Sequence, residues 1–170
     1  MLSDKQKAMV ELWDAHVRYE FEDHDVDATL TTMSKEPHIN NIPTMTGGRG
    51  VDGVHSFYTS SFVHSMPEDI GSTLLSRTVG EDQIVDETIL RFTHTVQMPW
   101  ILPGVQPTNK KVEVPLIAII YFKDNKIDHE HIYWDQGTVL AQLGLIDAKN
   151  LPIKEAECAK KLENDCSDAL

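Results

Sequence analysis

The chain has 170 residues, of which 41% are hydrophobic and 25% are charged. This length and balance predict one globular domain and exclude a disordered chain, a collagen-like chain and a disulfide scaffold. The 15 Lys and Arg against 27 Asp and Glu give a net charge of −12, which disfavours nucleic acid and anionic membranes as partners because like charges repel.

Several sequence features bear on the cellular compartment. The N-terminal residues show no basic segment followed by an apolar run, which a secretory signal would have. No apolar run approaches the ~20 residues that are needed to cross a bilayer. The two cysteines, Cys158 and Cys166, are expected to be reduced thiols. These features together predict a cytoplasmic protein.

The N-terminal part of the chain has the three- and four-residue spacing of apolar side chains that is typical of amphipathic helices. This spacing predicts helices at residues 4–24, 26–34 and about 52–64. Residues 37–42 are predicted to form a short strand, and the glycine-rich residues 44–50 a flexible loop.

The hydrophobic period changes to two after residue 71, which is typical of strands. The predicted elements that follow are strands at 72–79, 84–98, 111–122 and 126–135, and helices at 138–143 and 152–164. Helices followed by consecutive antiparallel strands predict an α+β fold in which the N-terminal helices cover one face of an antiparallel sheet, and strong curvature of that sheet would enclose a cone with a cavity at its open end. Residues 1–150 are the predicted domain, and residues 151–170 a C-terminal helical tail.

Ionisable side chains on predicted apolar faces are the candidates for chemistry, because their burial is costly unless they are paired or used. On the first helix, His16 and Glu20 are four residues apart and can meet. On the long strand, His94 shares a face with apolar residues. On the last strand, one face carries His129, His131, Tyr133 and Asp135. An interior carboxylate near a histidine can act as a general base, with the imidazole as a general acid.

Each of these features also has a structural interpretation. His94 can be a hydrogen-bonded core histidine, His16 and Glu20 a surface pair, and the face of the last strand a solvated one. Spacing of His129 and His131 with Asp135 resembles that of metal ligands, but no partner motif accompanies it, and no metal site is predicted.

Two further features have open interpretations. Arg77 is expected either to pair across the ladder with Glu87 or Glu113, as a structural contact, or to line the pocket. The proline-rich apolar loop at 99–107, which contains Trp100, is either a lid over the cavity or a subunit contact.

The order of helices and strands resembles the nuclear transport factor 2-like fold, a cone-shaped α+β barrel. Residues 130–136 (EHIYWDQ) and 139–145 (VLAQLGL) are similar to the SnoaL-like polyketide cyclase group. Further similarity is to a branch often labelled carboxymethylenebutenolidase- or dienelactone-hydrolase-related, at residues 43–48, 76–80, 92–94, 100–104 and 112–115.

The resemblance implies a cofactor-independent lyase or isomerase that acts by acid–base chemistry on a small apolar oxygenated metabolite, such as a polyketide or terpenoid intermediate. SnoaL-like cyclases move protons with a pocket Asp and a neighbouring His, and Asp135 or His131 is the nearest match. The expected catalytic residues are Asp135, His131, His94, His16, Glu20 and Tyr133. The expected substrate-binding residues are Trp13, Tyr19, His38, Phe92, Trp100 and Glu113.

Two other functions fit the same fold. One is a non-catalytic module for small-molecule binding or dimerisation, and the other is a lactone or enol-ester hydrolase. The resemblance also implies a homodimer, with a small molecule as the substrate and no cofactor or metal.

Overall fold

The structure is a computed structural model that describes residues 1–167. The helices are α1 (Asp4–Phe21), α2 (Val26–Thr31), α3 (Gly50–Phe57), α4 (Gln136–Gln142) and α5 (Glu157–Ser167), and Tyr58–Phe62 form a π-helical turn after α3. The strands are β1 (Met33–Asn41), β2 (Thr46–Arg49), β3 (Gly71–Val79), β4 (Gln83–Thr93), β5 (Lys111–Lys123) and β6 (Lys126–Trp134). The predicted α+β class is confirmed.

Helix α1 begins at a capping box. The hydroxyl of Ser3 accepts a hydrogen bond from the backbone N–H of Gln6, whose side chain accepts one from the N–H of Ser3. The buried positions of α1 recur at three- and four-residue intervals and are Met9, Trp13, His16 and Glu20. Two ionisable side chains therefore lie on the face that packs against the sheet.

The six strands form one sheet in the order β2-β1-β6-β5-β4-β3. All neighbouring strands are antiparallel except β1 and β6, which run parallel. The predicted second helix ends early because residues from Met33 onward pair with β6 instead. The strand predicted to reach residue 98 ends at Thr93, and the following segment turns inward to bury Met98.

Residues 44–50 were predicted to be a flexible loop, and this prediction is wrong because Thr46–Arg49 form β2. Gly47 has a φ of 139°, a conformation that favours glycine. A Cβ atom at this position would lie 1.9 Å from the carbonyl oxygen of Ile39 on β1. Glycine therefore permits the close pairing of β1 and β2 rather than marking flexibility.

The two faces of the sheet have different coverings. Helices α1 and α3 cover the inner face, where the buried apolar core lies. Helix α5 packs against β5, with Ala159 fully buried and Glu163 paired with Arg91 at 2.5 Å. This helix begins later than predicted, and residues 168–170 of the predicted tail lie outside the described residues. None of the helices within residues 1–167 combines the length and apolar character needed to span a membrane.

Candidate active site

A cavity of about 300 Å³ lies between the helices and the inner face of the sheet. This volume is at the lower end of the range for pockets that hold small organic molecules. Most of the lining is apolar. The apolar side chains in it are those of Trp13, Val17, Phe21, Ile39, Phe57, Phe62, Leu74, Leu90, Trp100, Leu116, Ala118 and Ile132. The polar groups in such a wall would orient a ligand.

One wall of the cavity carries a cluster of acid–base groups around His16. The ring is fully buried, and its Nε2 lies 3.1 Å from the hydroxyl of Tyr58. The same atom is 3.2 Å from Oε1 of Glu20 and 3.2 Å from Oε1 of Glu130. Both carboxylates line the cavity and are only 5% and 2% exposed. One imidazole therefore lies between two buried carboxylates.

The hydrogen bonds at the other ring nitrogen fix the protonation of His16. Nδ1 lies 2.6 Å from Oγ1 of Thr32, whose own proton is donated to the carbonyl of Thr29 at 2.6 Å. Oγ1 can then only accept, so Nδ1 carries a proton. The proton that can exchange is the one on Nε2, which faces the two carboxylates and Tyr58.

Burial and charge act in opposite directions on His16. Burial lowers the pKa of His16, but the charges of Glu20 and Glu130 outweigh this effect and raise the pKa to about 10. The ring is therefore an imidazolium at neutral pH. Burial raises the pKa of Glu130, and it raises the pKa of the Tyr58 hydroxyl well above its ordinary value. Tyr58 is therefore a neutral hydroxyl in this cluster.

Residues that line the cavity also carry buried polar atoms that form no hydrogen bond. Four buried side-chain polar atoms within residues 1–167 lack a hydrogen-bond partner, and three of them belong to residues that line the cavity. These three are Oδ1 of Asn41, Nε1 of Trp100 and Oε1 of Glu130, the last of which is ion-paired with His16. An unsatisfied buried group costs about 1–3 kcal/mol, so a ligand that pairs with these atoms gains affinity.

Arg77 lines this cavity, as the second of its two interpretations expects, whereas its predicted pairing with Glu87 or Glu113 is wrong. Its Nε and Nη2 atoms donate to the two carboxylate oxygens of Asp86 at 2.7 and 2.8 Å. The register between β3 and β4 shifts between residues 74 and 76, and this shift places Arg77 opposite Asp86.

Asp86 also fixes a wall of the cavity. Its Oδ2 accepts a hydrogen bond from Nε1 of Trp13 at 2.7 Å, and Arg77 also donates to Asp14 at 2.8 Å. The network joins α1 to β3 and β4. It therefore holds the indole of Trp13 in the lining.

The last strand presents a different face to the cavity from the one expected. Glu130 and Ile132 point inward, so His131 and Tyr133 project from the outer face. Asp135 caps α4, where it accepts from the backbone N–H of Thr138 at 3.2 Å and from its hydroxyl at 2.8 Å. This placement departs from the expectation that Asp135 or His131 lines the cavity.

The other expected histidines also lie elsewhere. His94 is fully buried outside the cavity lining, and its Nδ1 accepts from the backbone N–H of Thr108 at 3.3 Å. Burial lowers the pKa of His94, so this ring is neutral at pH 7. His38 lies beside His129 on the outer face of the sheet.

The expected substrate-binding residues divide between the cavity and other places. Trp13 and Trp100 line the cavity. Phe92 is in the apolar core, and Glu113 lies 3.5 Å from Nε of Arg91. Tyr19 is partly exposed, and the guanidinium of Arg18 lies above its ring.

The loop around Trp100 is held against the cone. The hydroxyls of Thr44 and Thr46 donate to the carbonyl of Trp100 at 2.9 and 2.7 Å, and Gln136 donates to the carbonyl of Ile101 at 2.9 Å. Trp100 and Ile101 are buried. In this structure the loop forms part of the cavity wall.

Sequence reasoning missed Glu130, Tyr58 and Asn41 as site residues. Tyr58 lies within the helix predicted at about 52–64, where only packing was expected of it, and the candidates on the last strand were taken from the face opposite Glu130. A usable signal existed, because Ile132 and Trp134 share the face of Glu130 and apolar neighbours mark the buried side of a strand.

A curved sheet that encloses a cavity closed by helices is the architecture of the nuclear transport factor 2-like fold class, and known structures agree with this assignment. The model of the SnoaL-like polyketide cyclase family matches residues 6–143. The chain therefore belongs to the SnoaL-like polyketide cyclase family. None of the curated proteins matches it in sequence.

Three solved structures illustrate the similarity. A SnoaL-like polyketide cyclase candidate from Jannaschia sp. CCS1 has a TM-score of 0.67 and 16% identity, over 86% of this chain and 99% of that chain. TsrD from Streptomyces laurentii has a TM-score of 0.63 and 17% identity, over 86% of this chain and 100% of that chain. SalBIII, an epoxide hydrolase/cyclase-like enzyme with a role in pyran ring formation in the polyether salinomycin, has a TM-score of 0.58 and 15% identity, over 78% and 94%.

At these identities the three structures show the fold alone. The resemblance to the SnoaL-like group is confirmed. Neither the family model nor these structures supports the dienelactone-hydrolase-related branch.

Proposed function

We propose that the protein is a cyclase or isomerase that moves a proton at a carbon next to a carbonyl, on a small apolar oxygenated metabolite. The observation that carries this proposal is the His16 imidazole between two buried carboxylates that line an apolar cavity, one of which, Glu130, accepts no hydrogen bond among the described residues beyond its ion pair with His16. Membership of the SnoaL-like polyketide cyclase family supports the same class of chemistry.

Glu130 is assigned as the proton acceptor. Its side chain lines the cavity, and its Oε1 is ion-paired with Nε2 of His16 at 3.2 Å but accepts no further hydrogen bond among the described residues. Glu20 lines the same cavity and is ion-paired with Nε2 of His16 at the same distance of 3.2 Å. Burial raises the pKa of Glu130, and we assign the proton transfer to this carboxylate because a base whose pKa is raised towards neutral is the better proton acceptor.

His16 is assigned as a positioning residue. Its Nε2 proton faces both carboxylates and stabilises their charge, and burial of all three side chains strengthens this interaction. After Glu130 takes the substrate proton, His16 keeps that carboxyl close to the carbon that must be reprotonated. The cluster contains both the acceptor and a donor, so the proposed reaction needs no cofactor.

The remaining unpartnered atoms define the substrate. Nε1 of Trp100 is a donor, and we assign it to the carbonyl oxygen on which negative charge develops as the proton leaves. Oδ1 of Asn41 is an acceptor, and a hydroxyl group of the substrate would satisfy it. The apolar lining fits the carbon skeleton of a small oxygenated ring compound.

Deuterium exchange tests the proposal without knowledge of the complete reaction. The protein is incubated in D₂O with a panel of cyclic and bicyclic hydroxyketones, and incorporation next to the carbonyl is followed by NMR. Glu130→Gln should lower the enzyme-dependent exchange by about 10²–10⁴-fold, the usual contribution of a positioned base. Glu87→Gln serves as the control, because Glu87 is not among the residues that line the cavity.

Two outcomes would overturn the assignment. Tight binding of a panel compound with no enzyme-dependent exchange would indicate a non-catalytic binding module. Unchanged exchange by a correctly folded Glu130→Gln variant would remove Glu130 from the mechanism.

A further inference from the structure

Three of the eight histidines meet on the outer face of the sheet, on the side opposite the cavity. His38 on β1 lies directly opposite His129 on the parallel strand β6, and His131 follows two residues later on the same face. The ring centroids are 4.6 Å apart for His38 and His129, 5.5 Å for His38 and His131, and 4.8 Å for His129 and His131.

We propose that His38, His129 and His131 bind one divalent transition-metal ion of the Zn²⁺ type. One ring nitrogen from each residue lies within 4.8 Å of the other two. Nε2 of His38 and Nε2 of His131 are 3.3 Å apart. Zn–N bonds of ~2.0–2.1 Å in a tetrahedral arrangement place two ligand nitrogens about 3.3–3.4 Å apart. Two of the three ligands therefore already have the required spacing.

A second layer of contacts supports the third ligand. Nδ1 of His129 donates to Oδ2 of Asp128 at 3.1 Å, and the hydroxyl of Ser34 donates to Oδ1 of the same carboxylate at 3.3 Å. Because Nδ1 carries the proton, the lone pair of His129 is on Nε2. A histidine that donates one N–H to a carboxylate and offers the other nitrogen to the metal is a common arrangement at zinc sites.

The electrical environment and exposure of the cluster also fit a cation. Arg49 is paired with His38 across β1 and β2, and its positive charge disfavours a nearby metal cation. The net charge of the chain, −12, favours cation binding. All three rings are partly exposed, which leaves a fourth position for water.

The sequence spacing suggested a different set of ligands, in which Asp135 accompanies His129 and His131. Asp135 is occupied as the cap of α4, and the third ligand comes instead from β1. The proposed ion would join β1 to β6 from outside, on the face opposite Glu130.

Metal titration of the chelator-treated protein tests the site. Calorimetry should show one Zn²⁺ bound per chain, and Co²⁺ in its place should give the visible absorption of a four- or five-coordinate ion. Zn²⁺ should also raise the melting temperature of the wild-type protein. His38→Ala and His131→Ala should each weaken Zn²⁺ binding by at least about 10-fold, and Asp128→Asn by about 10-fold.

Matched controls separate this site from other histidines and from the cavity. His55→Ala and His64→Ala, at exposed histidines outside the cluster, should leave the affinity for Zn²⁺ unchanged. Glu130→Gln should also bind Zn²⁺ normally, so loss of exchange activity and loss of metal binding are distinguishable. If an alanine variant fails to fold, His38→Gln or His131→Gln replaces it. Absence of stoichiometric Zn²⁺ binding, or binding that survives loss of both His38 and His131, would overturn the proposal.

Discussion

Because the pKa of His16 is raised, its contribution to the stability of the folded protein decreases as the pH rises into the alkaline range. In the unfolded chain the pKa is about 6.5, and in the folded protein it is about 10. The charged ring therefore stabilises the folded state fully below pH 6.5, and this contribution is lost as the pH rises towards 10. At about 1.4 kcal/mol for each pH unit, the contribution is on the order of 5 kcal/mol.

The prediction concerns His16→Gln, studied by urea denaturation from pH 6 to pH 10. At pH 6–7 the free energy of unfolding should fall by about 3–5 kcal/mol, because two buried carboxylates lose their cationic partner. The difference between wild type and variant should shrink steadily as the pH approaches 10. Glu20, Glu130 and Tyr58 are the titratable groups that face the ring, and the raised pKa of Tyr58 keeps its hydroxyl neutral in this range.

His94→Gln is the matched control. His94 is equally buried, but burial lowers its pKa and no carboxylate is among the causes of the shift. Its substitution should therefore change stability by the same amount at pH 7 and at pH 10. A difference between wild type and His16→Gln that stays constant over this range would refute the reasoning about His16.

Two further substitutions test the contacts that build the cavity. Asp86→Asn removes the charge that holds Arg77 and Trp13, and should lower the free energy of unfolding by about 2 kcal/mol or more. Asp14→Asn, whose side chain is mostly exposed, should cost less than about 1 kcal/mol in the same urea titration, and equal effects would contradict this account. Gly47→Ala should lower the melting temperature, because a Cβ atom would meet the carbonyl of Ile39; an unchanged melting temperature would show that β2 does not need its glycine.

Local patterns in the sequence were sufficient to predict α1 and its buried pair. His16 and Glu20 are four residues apart on an apolar stripe, and this spacing fixes both the helix and the contact. The strands β3 to β6 follow from a period of two, which is equally local. The SnoaL-like resemblance depends on such stretches as well.

The rest of the site depends on which distant segments meet. Both faces of β6 carry ionisable residues, so its sequence alone does not show whether Glu130 or His131 points inward. His38 joins His129 only through the parallel pairing of β1 with β6, and Tyr58 reaches His16 across 42 positions of the chain. The expected homodimer and the identity of the substrate stay predictions.

The parallel pairing of β1 with β6 also bears on the order of folding. Ile39 and Glu130, which face each other across this pair, are 91 positions apart, whereas β4, β5 and β6 are joined by antiparallel ladders between successive segments. Long-range pairing is entropically slow, so we expect the β4–β6 meander to form early and β1 to dock last. The hollow that holds the acid–base groups would then be sealed only in the final step, and pulse-labelled hydrogen exchange during refolding should protect the amides of β1 after those of β5.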